Sequence, residues 1–182
     1  MTTELDTLDV TGFAFTRQAW VAAPPTAVYD LVSDVSTIER WSPSASAVAY
    51  DPGHGPRVGA WFSGHNRRGE QEWTTRSQVV AASPGQEFAF VVGGADEGIV
   101  RWRWTFREDG DGTVVAQSWR LLRHVPVLGT THAEVAALAD HMADSVESTL
   151  IALARWISTA GNRRARTDPR PLQWRQRVDG DE

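Results

Sequence analysis

Aromatic and basic residues alternate along Ile99–Arg107, and this alternation constrains the fold more than any other feature of the chain. Trp102, Trp104 and Phe106 occupy every second position, with arginine before and between the tryptophans. Successive side chains of a β-strand point to opposite faces of the sheet, so a strand here has one face of large rings and one of charges. The pattern therefore predicts a sheet with one solvent face and one aromatic inner face.

Turn residues separate a series of short runs rich in β-branched and aromatic residues. The predicted strands are 10–21, 46–50, 58–66, 71–82, 86–92, 99–107 and 113–122. The sequences between the later runs, such as Ser83, Pro84 and Gly85, are typical of tight turns. Connections this short join antiparallel neighbours, so we expect an antiparallel meander.

Helical periodicity appears in three places. A short amphipathic helix is predicted over 26–32, followed by a second short helix that Asp34 or Ser36 can cap. A long helix is predicted over 131–159, where apolar residues and one threonine recur at spacings of three and four. This stripe comprises Val135, Leu138, Met142, Val146, Thr149, Leu150, Leu153 and Ile157. Segregated strands and helices indicate an α+β fold.

Two absent residue types exclude several kinds of chemistry. The 182 residues include no cysteine, which excludes thiol nucleophiles, thiolate metal sites and disulfides. All 18 basic residues are arginine, so lysine Schiff-base chemistry is excluded too. With a net charge of −5, no nucleic-acid partner is expected. The sequence has no membrane-length apolar stretch and no basic, apolar leader, so we expect a cytoplasmic protein without a membrane span.

Short motifs along residues 10–160 combine into a pattern that resembles a known superfamily. They are Val21–Pro25, Val28–Asp30, Asp34 with Glu39–Pro43, Val58–Gly59, Phe62–Gly69, Trp73–Thr75, Ser83–Gly85 and Asp111–Thr113. Together with the order of elements, they resemble the SRPBCC superfamily, also called START-like or polyketide cyclase/dehydrase proteins.

That resemblance implies a helix-grip fold. In this fold a seven-stranded curved antiparallel sheet wraps around a long C-terminal helix, two short helices follow the first strand, and a hydrophobic cavity lies between sheet and helix. Members bind lipids, sterols, polyketides or other apolar molecules, and some catalyse cyclisation or dehydration. We expect a flexible arm at residues 1–9, the ligand-binding domain at 10–160 and an Arg-rich flexible tail at 161–182.

Strand parity identifies the residues that would line the cavity. If Trp102, Trp104 and Phe106 point inward, every second side chain of each neighbouring strand points inward too. Part of the apolar stripe of the long helix faces the same cavity. This set comprises Phe62, Asn66, Trp73, Thr75, Ser77, Phe88, Phe90, Gln117, Trp119, Leu138, Met142 and Val146. The opposite phase of strand 58–66 stays open and would turn in His65. The alternative to a cavity is a large aromatic core.

Few polar groups are predicted to face inward: Asn66, Thr75, Ser77 and Gln117. A buried amide or hydroxyl costs free energy unless it is paired, so each must meet another group, a water or a ligand. Two interpretations remain open. The four groups pair within the sheet, or Asn66 and Gln117 orient a carbonyl or hydroxyl of a bound molecule.

Acid–base catalysis would depend on histidine, whose pKa lies near neutrality. His124 follows the last strand, near the expected cavity mouth, and His65 qualifies only in the reversed phase. Both are candidate catalytic residues. No spacing of histidines and carboxylates typical of a zinc site is present, and no glycine-rich phosphate loop precedes a helix. We expect neither a metal nor a cofactor.

Three functions remain. The first is binding of a small hydrophobic molecule, polyketide-, aromatic- or lipid-like, and we favour it because ionisable groups are scarce on the inner face. The second is a polyketide cyclase, aromatase or dehydratase that uses the same cavity. The third is an interaction protein or chaperone cofactor. The oligomeric state and the identity of the ligand stay open.

Overall fold

Seven strands form one antiparallel sheet in the computed structural model, which describes residues 8–167. The strands are β1 Ala14–Val21, β2 Ala45–Tyr50, β3 Trp61–Arg68, β4 Gln71–Ser83, β5 Glu87–Val92, β6 Val100–Asp109 and β7 Gly112–Leu121. Their order across the sheet is β1-β7-β6-β5-β4-β3-β2. From β2 to β7 each strand pairs with the next one along the chain, and β1 pairs with β7, so β1 and β2 are the two edges of the sheet. The predicted antiparallel α+β helix-grip fold is confirmed.

The helices follow the predicted order. Helix α1, Pro25–Ser33, leads into a 3₁₀ helix, Val35–Arg40, and helix α2 spans His132–Thr167 after a 3₁₀ turn at Pro126–Leu128. Of the two predicted caps, Asp34 is the one used, because its Oδ1 accepts from the Ser36 backbone N at 3.2 Å and hydroxyl at 2.6 Å.

The last helix is longer than the sequence predicts. Helix α2 continues to Thr167, so the predicted helix end at 159 was wrong. Most of the predicted arm, 1–9, and tail, 161–182, lies outside the described residues. Between residues 8 and 167, no helix is long and apolar enough to cross a membrane.

Two-residue turns close the β3–β4 and β6–β7 hairpins. Strands β3 and β4 pair out to Arg68 opposite Gln71, so Gly69 and Glu70 form the turn. Gly69 and Gly110 have φ angles of 60° and 63°, a left-handed conformation that glycine adopts without steric cost. These turns set the register and hence the face to which each side chain points.

Strand β3 places Phe62, not Trp61, on the concave inner face of the sheet. Phe62 is buried, with its ring edge-on to Phe90 at 5.0 Å between centroids. Trp61 lies on the convex face, where the Arg76 guanidinium sits 5.0 Å from its ring centroid. The phase that places Phe62 and Asn66 inward is therefore the observed one.

Helix α2 packs its apolar stripe across the concave face of the sheet. Toward its C-terminal end, Val146, Leu150 and Leu153 join a core cluster that includes Val115 of β7. Toward its N-terminal end, Val135 joins a second cluster. The strand residues of that cluster and of the segment before β1 are Phe13, Val100, Trp119 and Leu121. The core is thus divided between the two halves of α2.

We expect Leu153→Ala to lower the free energy of unfolding by about 2–5 kcal/mol, because Leu153 is 0% exposed between helix and sheet. Ile151→Ala, on the same helix at a side chain that is 53% exposed, should change it by no more than about 0.5 kcal/mol. Urea denaturation followed by circular dichroism measures both. Equal losses of unfolding free energy in the two variants would contradict this packing of α2 on the sheet.

Candidate functional site

Ring side chains fill the part of the concave face under the C-terminal half of α2. The Trp104 ring is edge-on to Trp41 at 5.7 Å. Tyr29 of α1 contacts Phe106 and Phe88 at 5.8 and 6.4 Å between centroids, also edge-on. The predicted lining residues buried in this core are Phe62, Phe88, Trp104, Phe106 and Val146. For these residues the structure shows an aromatic core.

The rest of the concave face keeps partly exposed side chains. Trp73, opposite Asn66 in the β3–β4 pair, is 41% exposed and belongs to neither core cluster. The half-buried side chains of the predicted set are Asn66, Thr75, Phe90, Trp102, Leu138 and Met142. We call these six residues and Trp73 the open concave face. Here the sheet and α2 leave apolar surface in reach of solvent.

Trp102 connects the open concave face to both core clusters. Its cross-strand partners are Phe90 on β5 and Trp119 on β7. Trp119 is buried and stacks on Phe15 of β1, with ring centroids 5.6 Å apart and planes 15° from parallel. A continuous row of rings therefore crosses the sheet from β5 to β1.

Asn66 and Thr75 satisfy each other. The Asn66 amide Nδ2 donates to the Thr75 hydroxyl at 3.0 Å and to the Gly64 carbonyl at 3.4 Å. Ser77, the third predicted polar residue, is buried between Phe62 and Val92 in the strand register. Pairing within the sheet is therefore the observed state of Asn66 and Thr75.

Gln117 behaves differently. The residue is 7% exposed, and its side-chain Oε1 is buried without a hydrogen-bond partner. Its cross-strand neighbours are Trp104 on β6 and Arg17 on β1. An unpaired buried acceptor costs about 1–3 kcal/mol, so this amide destabilises the fold unless something binds it.

Arg17 and Glu147 are site residues that the sequence analysis missed. Arg17 lies on the concave face of β1, and its Nε donates to Glu147 Oε1 of α2 at 2.7 Å. Among the described residues, this is the one ion pair that joins helix and sheet. Period-two alternation along β1, with Phe15, Arg17 and Ala19 on one face, is the signal that would have found it.

The two candidate histidines occupy different surfaces. His65 lies on the convex face with its Nε2 3.4 Å from Glu72 Oε2, so it does not line the concave face. The reason is the phase of β3: Phe62 and Asn66 face the concave side, so His65 faces the convex side. His124 is half-buried in the loop between β7 and α2, and its Nε2 donates to the Gly129 carbonyl at 2.8 Å.

Two surface pockets lie outside the concave face. One, of about 510 Å³, is bordered by α1 and the loop before β3, and the other, of about 460 Å³, is bordered by residues 8–13 and His132. Neither contains a predicted lining residue. In the first, burial raises the pKa of Tyr50 far above its ordinary value, and the protonated hydroxyl donates to the Ser33 carbonyl at 2.8 Å.

No group of three or more His, Asp or Glu side chains within residues 8–167 is arranged to hold a metal ion.

A family model described as polyketide cyclase/dehydrase and lipid transport matches residues 13–157. The chain belongs to this family. The match covers the whole sheet and α2 as far as the last residue of its apolar stripe. No curated protein sequence matches the chain.

Solved structures with the same fold include cyclases. A polyketide cyclase-like protein from Corynebacterium glutamicum, Cgl2372, is 28% identical, with a TM-score of 0.57 over 83% of this chain and 94% of that one. The di-domain aromatase/cyclase StfQ of the steffimycin pathway is 16% identical, with a TM-score of 0.67 over 82% of this chain. A second di-domain aromatase/cyclase, BexL of the BE-7585A pathway, is 20% identical, with a TM-score of 0.60 over 79% of this chain.

This chain spans 52% of StfQ and 49% of BexL, about half of each. At such identities these two proteins show the fold alone. The family's description supports a role in ligand binding or cyclisation.

Glu134 fixes the start of α2, and with it the positions of Leu138 and Met142. Its Oε2 accepts from the Thr130 backbone N at 2.6 Å and the Thr131 backbone N at 3.1 Å, while the Thr131 hydroxyl accepts from the Glu134 N at 3.2 Å. This is a capping box. Hydrogen bonds from Thr130 first, then Thr131, hold the pKa of Glu134 below its ordinary value.

We therefore expect Glu134→Ala to lower the Tm at neutral pH and to lose this effect in acid. A carboxylate whose pKa is lower in the folded than in the unfolded state stabilises the fold above its unfolded pKa. That contribution is lost as pH falls through the folded pKa. Thermal melts across the acid range measure the difference from wild type. Glu134→Gln, which keeps one acceptor oxygen, is the control and should melt between the two. A Tm difference that stays constant with pH would contradict this role.

Proposed function

We propose that the protein binds a small hydrophobic molecule, aromatic-, polyketide- or lipid-like, on the open concave face beneath α2. The observation that carries the proposal is the partial exposure of Phe90, Trp102, Leu138 and Met142 next to a buried core. A guest that covered these side chains would remove apolar surface from water, worth about 25 cal/mol per Å².

The residue types suit a guest held by shape. Trp102 and Phe90 are flat rings on adjacent strands, paired directly in the β5–β6 register. Met142 is unbranched and flexible, so it adapts to guests of different outline. Asn66 and Thr75 already pair with each other and add a polar border to the site. Membership of a family described by cyclisation and lipid transport supports the same site.

Trp102→Ala should weaken binding of N-phenyl-1-naphthylamine, a neutral probe whose emission rises in apolar surroundings, by about tenfold to a hundredfold. The reason is the loss of a ring that connects the open concave face to both core clusters. Trp20→Ala, at a 46% exposed tryptophan on the convex face, should leave the Kd unchanged. Fluorescence titration of the three proteins measures this. An absence of binding by wild type, or equal weakening in both variants, would refute the proposal.

Cyclisation of a polyketide-like chain is the second candidate, favoured by the likeness to the aromatase/cyclases StfQ and BexL. A site that holds a reactive chain folded lowers the entropic part of the barrier even with few acid–base groups. Within it, His124 is the candidate proton carrier, because it lies between β7 and the start of α2.

For this second candidate, His124→Ala should slow cyclisation of a synthetic poly-β-ketone thioester by about a hundredfold, the range of general acid–base catalysis, while its Kd stays unchanged. His141→Ala, at an exposed position of α2, is the matched control and should retain the rate. Product formation followed by chromatography, beside the uncatalysed reaction, gives the rates. Turnover equal to the uncatalysed rate in wild type would leave binding as the function.

A further inference from the structure

On the concave face, the Gln117 side chain has a buried hydrogen-bond acceptor that the described part of the fold leaves without a donor. Its Oε1 is buried, and no donor among the described residues reaches it. Asn66, the other inward amide, donates to Thr75 and Gly64. The two amides are therefore not equivalent, and Gln117 is the one left to meet a ligand.

The surroundings of Gln117 are aromatic on one side and cationic on the other. Trp104 lies directly across on β6, and Trp119 is the next residue of the same face on β7. Arg17 lies directly across on β1. Its Nε is taken by Glu147 of α2 and its Nη1 by the Thr16 carbonyl, so the described bonds of Arg17 lead away from Gln117.

These surroundings specify the chemistry of the partner. In the orientation that the Gln117 amide has in this structure, Oε1 is an acceptor, so a ligand with a donor meets its need whereas a ketone, ester or ether does not. A cationic ammonium group is a donor too, but it would be repelled by the guanidinium across the strand pair. The partners that remain are neutral donors, and the simplest of them is a hydroxyl on a flat apolar body that fits between rings.

We propose that the ligand of this site is a hydroxyl-bearing aromatic molecule, of the phenol class, whose hydroxyl donates to Gln117 Oε1. This inference rests on the proposed function, because the aromatic body occupies the open concave face. Gln117 is a specificity-determining residue in this scheme, and the rings supply the affinity.

Two side-chain contacts of α2 with the sheet are weak, and one of them involves Arg17, the cross-strand neighbour of Gln117. The Arg17–Glu147 ion pair lies at the surface, with side chains 40% and 54% exposed, and such pairs contribute little to stability. Met142 of α2 is half-buried and flexible. Displacement of these side chains by a small flat molecule requires no change in the sheet.

The experiment compares three ligands of one shape by isothermal titration calorimetry at neutral pH: 2-naphthol, 2-methoxynaphthalene and naphthalene. The hydroxyl of 2-naphthol donates, the methoxy oxygen only accepts, and naphthalene does neither. Wild type should bind 2-naphthol about tenfold more tightly than the other two, the effect of one hydrogen bond to a buried acceptor. In Gln117→Leu this preference should disappear, while binding of naphthalene is retained.

Gln18→Leu is the matched control, because Gln18 is an exposed glutamine next to Arg17 in sequence but on the convex face. It should keep the tenfold preference. Gln117→Met is a second variant, which removes the acceptor with a flexible side chain, and thermal melts confirm that each variant is folded. The ratio of two Kd values is independent of the fraction of active protein.

The outcomes separate the two proposals. If no naphthalene derivative binds wild type, the proposed function fails. If all three bind equally well, or if the preference for 2-naphthol survives in both Gln117 variants, the role of Gln117 is refuted and hydrophobic binding stands.

Discussion

The packing of one helix stripe on one sheet face is the constraint on which the rest of this structure depends. Leu153, Val135 and Val115 are fully buried where α2 crosses the sheet. Burial of these side chains stabilises the packing of the curved sheet against one long helix. A single hairpin of the sheet would be only marginally stable by itself in water. The capping box at Glu134 fixes where the helix begins.

This packing produces an uneven interface. Rings from α1, the 3₁₀ helix and the sheet meet at the C-terminal half of α2, as in the Trp41–Trp104 and Tyr29–Phe106 contacts, and form a closed core. On the open concave face, around Trp102, the surface is apolar but incompletely covered. Such a site has a buried aromatic core on one side and partly exposed apolar side chains on the other, which suits a ligand held mainly by apolar contact. Gln117 lies where the polar and aromatic parts of the interface meet.

Prediction from sequence succeeded where local rules apply. Alternation along β6 assigned its faces correctly, and the turn residues located the hairpins, because period and turn chemistry are properties of neighbouring residues. It failed where distant segments meet. Trp41, directly after the 3₁₀ helix, packs on Trp104 of β6, a contact between distant segments that no local pattern predicts. The start of β1 at Ala14, rather than Val10, reflects how far β7 extends to pair with it.

For the site, parity along the strands identified the inward set, including Asn66 and Gln117, but not which amide would find a partner. Pairing of Asn66 with Thr75 requires the observed β3–β4 register, and the isolation of Gln117 depends on Arg17 turning to a glutamate on α2. The sequence alone determined the fold class, the face of each ring on β6 and the exclusion of cysteine and lysine chemistry, since these follow from composition and from the period of a strand. Only the tertiary structure decided which rings close the core, which stay open and which polar atom is left unpaired, because burial and hydrogen bonding arise between segments distant in the chain.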